Sequence, residues 1–172
     1  MPNNITNRIN LAGDTEAIET CLRSIRMNGY GLYTMDFEKI MPMPAEEQKN
    51  WYGWRLKNWS TKWNAYGYNE DLPKTSPEEI VFYTAWNAPH AVMLALSGQY
   101  PKIEFTHEWA DEDIGSNVGR RIYLNGAVTE EYLPPTGSVE AINYAAAIMD
   151  ADPGDWGLVL NASGTGYVYM GE

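Results

Sequence analysis

The chain has 172 residues and a formal net charge of −11, with 44% hydrophobic and 20% charged residues, as expected for one globular domain that can bury a core. It has no apolar segment of about 20 residues and no basic-then-apolar leader, so we expect neither a membrane span nor a signal peptide, and the predicted location is the cytoplasm. The single cysteine, Cys21, excludes an internal disulfide and a cysteine-cluster zinc site.

The first predicted elements are a strand and a helix. Residues 5–12 alternate between apolar and polar positions, which is typical of a strand. An aspartate is placed to cap a helix over 14–27, in which Cys21 lies on the apolar side as a small core residue. An extended segment over 32–40 is predicted as a second strand, and two prolines then lead into a helix over 45–58.

The most distinctive stretch is residues 51–68, which holds four of the seven tryptophans interleaved with basic side chains. So much aromatic surface either fills a core or forms a binding face, and the sequence leaves both interpretations open. Arg55 and Lys62 either stack on these rings or contact an anion beside them. The candidate ligand-binding or partner-binding residues are Trp51, Trp54, Arg55, Trp59, Lys62, Trp63 and Trp86.

The next segment predicts a strand over 80–86, a helix over 90–100 and strands over 102–109 and 120–125. His107 lies on the apolar side of its strand, which favours a hydrogen-bonded core histidine over a catalytic base. Strand, helix, strand, strand, helix, strand is the order of a ferredoxin-like split βαβ sandwich, an α+β fold with an antiparallel sheet and helices on one face. The predicted domain spans 1–126, with the helix over 45–58 inserted.

The remaining residues, 127–172, are predicted to form an acidic extension packed on the same domain, with a helix over about 138–149 and a hairpin over about 156–170. From Glu104 onward there are 12 acidic residues but only two basic ones, Arg120 and Arg121. A surface of that sign repels nucleic acid and membranes and attracts a partner with a basic surface, although acidity can also serve solubility alone. The predicted acidic partner-binding surface consists of Asp111, Glu112, Asp113, Glu130 and Glu131.

No catalytic motif is present, and we expect no cofactor and no metal. The run from Ser163 to Gly166 lacks the lysine of a phosphate-binding loop and is predicted to be a hairpin turn. The acids over 111–113 lack calcium-loop spacing and are predicted to form a solvated loop. Paired acids for hydrolysis or group transfer, such as Glu104 or Glu108 with Asp36 or Glu38, stay a third hypothesis, because no spacing selects them.

Three segments, 36–44, 51–64 and 83–89, resemble the YubB-type ferredoxin-like domain of plasmid and phage accessory proteins, as do Met1–Asn3 and Asn7. The resemblance covers about 1–126. It implies the ferredoxin-like fold and a mobile-element origin, and it supplies no catalytic residues. The sequence departs from the family pattern at Ser60, where glycine is expected, and at Asn87-Ala88, where Ser-Pro is common.

These features together predict a non-enzymatic phage or plasmid accessory protein in the host bacterial cytoplasm. It would bind and inhibit a host protein, such as a nucleic-acid-binding defence complex of the CRISPR or restriction type, through charge steering and aromatic anchors. The alternative is a protein that binds or sequesters a nucleotide signal with Trp51, Trp54, Arg55, Lys62 and Trp86.

Overall fold

The computed structural model describes residues 3–171. Met1 and Pro2, which belong to the opening of the resemblance, lie outside this range, as does Glu172. Seven strands run over Asn4–Ala12 (β1), Ile80–Ala85 (β2), Glu104–Asp111 (β3), Gly119–Leu124 (β4), Ala127–Tyr132 (β5), Leu158–Leu160 (β6) and Tyr167–Tyr169 (β7). Five α-helices run over Thr15–Ile25 (α1), Phe37–Ile40 (α2), Trp51–Trp59 (α3), His90–Gln99 (α4) and Val139–Ile148 (α5), with 3₁₀ turns at Ala45–Asn50 and Pro153–Trp156.

The first five strands form one antiparallel sheet in the order β2-β1-β3-β4-β5. β1 lies between β2 and β3 and is antiparallel to both, so the β2-α4-β3 connection is a βαβ unit split by β1. The predicted α+β ferredoxin-like class is confirmed.

The predicted strand over 32–40 is wrong, because residues 37–40 form the short helix α2. The Asp36 carboxylate caps it by accepting a hydrogen bond from the Glu38 amide at 3.0 Å, and Phe37 and Ile40 are both buried. Apolar residues three positions apart share one face of a helix, and that spacing decides the structure here. Strand β2 consequently pairs with β1 and not with this segment.

Helices cover both faces of the sheet. On one face α1 and α4 pack over a core that contains Cys21, Phe82 and Phe105, so the buried position predicted for Cys21 is confirmed. On the other face α5, capped by Ser138 as expected, lies against Ala110 and Val118. Small side chains at this contact let the helix approach the strands closely.

The sheet continues beyond residue 126. Asn125 and Gly126 have φ angles of 51° and 74°, which suit a two-residue turn between antiparallel strands, and β5 pairs with β4 across it. The chain ends in the separate β6–β7 hairpin, whose turn contains Ser163–Gly166 as predicted. The predicted helix over 45–58 is divided into the 3₁₀ turn and α3. Within 3–171, no helix has the length and apolar character needed to cross a membrane.

Candidate functional site

The tryptophans of α3 divide between the core and the surface. Trp59 is fully buried, and its indole nitrogen donates to the Met41 carbonyl at 3.0 Å. Trp51 and Tyr52, at the start of the same helix, expose 38% and 43% of their surface. Trp54 lies between these extremes and packs edge-to-face on Trp59 at 5.7 Å. Helix α3 therefore places its last tryptophan in the core and its first aromatic side chains at the surface.

Arg55 lies between two tryptophan rings of its own helix and Glu38 of α2. Its guanidinium carbon lies 5.2 Å from the Trp51 ring centroid and 4.8 Å from that of Trp59, and its terminal nitrogen is 3.7 Å from a Glu38 carboxylate oxygen. These contacts balance the charge of Arg55 within the protein, although its buried Nε has no hydrogen-bond partner. A ligand phosphate would have to displace Arg55 from both rings and from Glu38, so the arrangement disfavours Arg55 as an anion-binding residue.

Trp86 brings a second element to the exposed rings of α3. Its ring is 38% exposed and meets Tyr52 edge-to-face at 6.5 Å, while the Lys62 ammonium lies 5.0 Å from its centroid and 4.7 Å from that of Trp63. We call Trp51, Tyr52, Lys62, Trp63 and Trp86 the aromatic face.

The backbone at Trp86 is held in an unfavourable conformation. Its φ angle is 70°, in the left-handed region where a bulky side chain costs about 1–3 kcal/mol. Two hydrogen bonds retain it: the Trp86 amide donates to the Asn3 carbonyl at 3.0 Å, and the Asn117 side chain donates to the Trp86 carbonyl at 3.2 Å. The fold thus accepts strain at the position that presents this ring.

The acidic loop after β3 lies at the same end of the sheet as the aromatic face. Asn4 pairs with Ala85 on β2, and the Glu112 amide donates to the Asn4 carbonyl at 3.0 Å. Burial, and after it the nearby Glu112 carboxylate, raise the pKa of Tyr66 to about 12. Glu112 and Asp113 are exposed there. These two acids, which we call the acidic pair, lie at the same end of the sheet as the aromatic face.

Asp111 has a structural role next to the acidic pair. It is only 7% exposed, and its carboxylate accepts hydrogen bonds from the Asn3 side chain at 3.2 Å and from the Asp113 amide at 2.9 Å. Burial raises its pKa against these hydrogen bonds. Asp111 therefore shapes the loop and does not present a charge to a partner.

The two remaining acids of the predicted surface lie on β5 and form ion pairs. Glu130 pairs with Arg120, and Glu131 accepts from Arg121 at 2.6 Å. Because consecutive strand residues point to opposite faces, these two carboxylates lie on different sides of the sheet. The structure therefore separates Glu130 and Glu131 from each other and leaves the acidic pair beside the aromatic face.

Both histidines of the chain meet between the first turn of α4, which begins at His90, and the sheet, a juxtaposition that the sequence did not predict. Their ring centroids are 5.8 Å apart. His107 is fully buried and contacts the Asn7 amide oxygen through Nε2 at 3.0 Å, whereas its Nδ1 has no hydrogen-bond partner. His90 contacts the Tyr123 hydroxyl at 3.0 Å through Nδ1. Burial lowers the pKa of both imidazoles, that of His90 to about 4, so both are neutral at neutral pH.

Three of the four acids of the hydrolase hypothesis have individual partners. Asp36 accepts from the Asn64 side chain at 2.8 Å, Glu38 accepts from the Met43 amide at 3.0 Å, and Glu108 accepts from the Tyr144 hydroxyl. Within the described part of the chain, no three or more His, Cys, Asp or Glu side chains are grouped so that they could hold a metal ion.

The split β2-α4-β3 unit defines a ferredoxin-like α+β protein. Residues 62–152 match the family described as the ferredoxin-like domain in Api92-like protein. Because the match covers just over half of the chain, the chain belongs to this family. The matched segment includes Trp86, the acidic pair and both histidines, and it runs across the predicted boundary at residue 126. No curated protein and no solved structure matches the chain.

Proposed function

We propose that this is a non-catalytic binding protein that holds a basic partner protein with the aromatic face and the acidic pair. The observation that carries the proposal is the exposure of Trp51, Tyr52 and Trp86, at 38%, 43% and 38%, beside two exposed carboxylates. Interfaces obtain most of their binding energy from a few large aromatic anchors, and a contiguous exposed aromatic patch is uncommon on a surface without a partner.

The ring geometry suits side-chain anchors better than a nucleotide base. Trp51 and Tyr52 meet at an interplanar angle of 78°, and Tyr52 and Trp86 meet at 87°. A planar base stacks face-to-face on an open aromatic ring, whereas perpendicular rings that contact one another form ridges and grooves that accommodate protruding side chains. Since the charge of Arg55 is also balanced by Glu38, the geometry favours side-chain anchors over the nucleotide-signal alternative.

The negative charge of this protein favours a partner with a basic surface. Glu112 and Asp113 lie beside the aromatic face, and the whole chain carries −11. Lysine and arginine side chains of a partner would meet these two carboxylates, whereas the tryptophan rings, over which Lys62 and Arg55 already lie, would contact the partner's apolar groups. The same charge repels nucleic acid, so the proposal includes no direct contact with it.

The YubB-type resemblance over 1–126 supports a finer proposal. The protein is a phage or plasmid accessory protein that acts in the host bacterial cytoplasm, and its partner is a host protein that holds nucleic acid on a basic surface. Defence complexes of the CRISPR and restriction types have this chemistry. Covering that surface would inhibit them.

Affinity capture from host lysate tests the proposal with two variants of the immobilised protein. The aromatic variant carries Trp51→Ser and Tyr52→Ser, and the charge variant carries Glu112→Lys and Asp113→Lys. Asp111, Glu130 and Glu131 are left unchanged, because they are buried or paired and their reversal would disturb the fold.

The matched controls lie elsewhere on the surface. Leu160→Ser with Tyr169→Ser removes exposed apolar groups from the β6–β7 hairpin. Glu78→Lys with Glu140→Lys reverses two exposed acids, one of them at the opposite end of β2. We expect a basic partner that both control proteins retain and both test variants lose. Equal recovery by all five proteins would contradict the proposal.

A further inference from the structure

Two adjoining cavities lie between the loop after α1 and the loop before β2, and Tyr66, which lines the smaller one, packs edge-to-face on Trp63 of the aromatic face at 6.0 Å. Their volumes are about 400 Å³ and about 260 Å³, and Tyr30, Tyr68 and Glu70 line both. The larger cavity is also lined by Tyr33, Asp71 and Lys74. The volume of the larger cavity is within the range of small-molecule sites, about 300–1,000 Å³, and that of the smaller cavity is just below it.

The aromatic walls are fixed in place. The Tyr68 hydroxyl accepts from the Met35 amide at 2.9 Å and donates to the Met35 carbonyl at 3.1 Å. The Tyr30 hydroxyl accepts from the Asn69 side chain at 2.9 Å, and the Tyr30 and Tyr68 rings meet at 5.4 Å with their planes at 51°. Burial raises the pKa of Tyr68, so the ring stays neutral. These hydrogen bonds therefore fix two inclined, electron-rich rings at the wall of the cavities.

The charges around these rings favour a cation. Glu70 and Asp71 are exposed carboxylates that line the larger cavity. Lys74 is the one positively charged residue named among those that line it. Aromatic faces and carboxylates both attract positive charge, and rings that supply no coordinating atom suit the diffuse charge of an alkylammonium group better than a metal ion.

We infer that these cavities form a binding site for a small organic cation of the quaternary ammonium class, held by Tyr30, Tyr68, Glu70 and Asp71. The inference concerns a different site from the proposed function, because none of these four residues belongs to the aromatic face or the acidic pair. The rings contact the alkyl groups and the carboxylates balance the charge. The Lys74 ammonium weakens binding by repulsion.

Calorimetric titration with choline tests the inference, with 3,3-dimethylbutan-1-ol as the neutral analogue of the same shape. We expect millimolar binding of choline and binding of the neutral alcohol that is weaker by about tenfold or more. Equal binding of the two compounds, or no binding of choline at millimolar concentration, would overturn the inference.

Three variants locate the site. Tyr30→Leu and Glu70→Gln should each weaken choline binding by about threefold or more, whereas Lys74→Gln should strengthen it by about twofold. Tyr169→Leu and Glu140→Gln, at exposed positions elsewhere, should change nothing. The opposite signs expected for Glu70 and Lys74 separate a charge effect from a folding defect. Weaker binding by the Lys74 variant would show that an anion is held instead, and the inference would fail.

Discussion

Acidification from about pH 7 to about pH 5 is expected to destabilise the protein through His90 and His107. The two imidazoles lie in one cluster between the start of α4 and the sheet. Arg121 is the nearby cation and Glu131 is the nearby anion. Burial, then Arg121, lowers the pKa of His90 to about 4, and Glu131 opposes this only in part. Burial, then His90 and Arg121, hold the pKa of His107 well below 6.5.

The sign follows from proton uptake. An unfolded histidine titrates near 6.5, so between that value and the folded pKa the unfolded state binds a proton that the folded state refuses. The free energy of unfolding then falls as the pH falls, by about 1.4 kcal/mol per pH unit for each histidine. At pH 5 the loss through His90 is about 2 kcal/mol, and His107 adds a loss of the same sign.

Urea unfolding at several pH values, followed by tryptophan fluorescence, measures this dependence. The matched protein carries His90→Gln and His107→Gln. Its stability at neutral pH differs from that of the unaltered protein, but its slope between about pH 6.5 and 5 should be nearly flat. Burial raises the pKa of Glu79, but its contacts with Thr75 and Arg8 outweigh burial and lower the pKa below 4.5. Glu79 therefore loses its contribution to the free energy of unfolding only at lower pH. Equal slopes for the two proteins would refute the reasoning.

Three further predictions concern Ser60, Arg8 and Trp86. Ser60 ends α3 with a φ angle of 66°, so Ser60→Gly should raise the free energy of unfolding by about 0.5–1 kcal/mol in urea titration; a loss of stability would contradict the backbone argument. Arg8 is buried and donates to the Ile148 carbonyl at 2.8 Å, so Arg8→Met should lower the free energy of unfolding by about 3 kcal/mol. Arg23→Met, on the exposed face of α1, should lower it by less than about 0.5 kcal/mol. Similar losses for the two variants would contradict this expectation. Trp86→Gly should relieve the left-handed strain and keep the thermal midpoint within a few degrees while abolishing partner capture, and retained capture would remove Trp86 from the interface.

Local signals predicted much of the fold. Asp14 and Ser138 cap α1 and α5 as expected, and α4 begins at His90 directly after Pro89. The fifth strand was missed although Asn125-Gly126 is a strong hairpin signal. All six residues of β5 are exposed, so its sequence lacks the alternation of buried apolar and exposed polar positions that predicts a strand.

The candidate site was less predictable, because exposure depends on neighbours from distant parts of the chain. Trp51 and Trp59 belong to one helix, yet only Trp59 reaches the core. The pairing of Glu131 with Arg121 requires the β4–β5 register, which composition does not contain. The meeting of His90 and His107 likewise requires α4 to be placed on the sheet.

Photo-crosslinking tests the binding surface most directly. p-Benzoylphenylalanine replaces Tyr52, on the aromatic face, in one protein and Tyr169, on the terminal hairpin, in another, and both are illuminated in host cells. We predict an adduct with a basic host protein from position 52 and none from position 169. An adduct from position 169 alone, or none from position 52, would contradict the account.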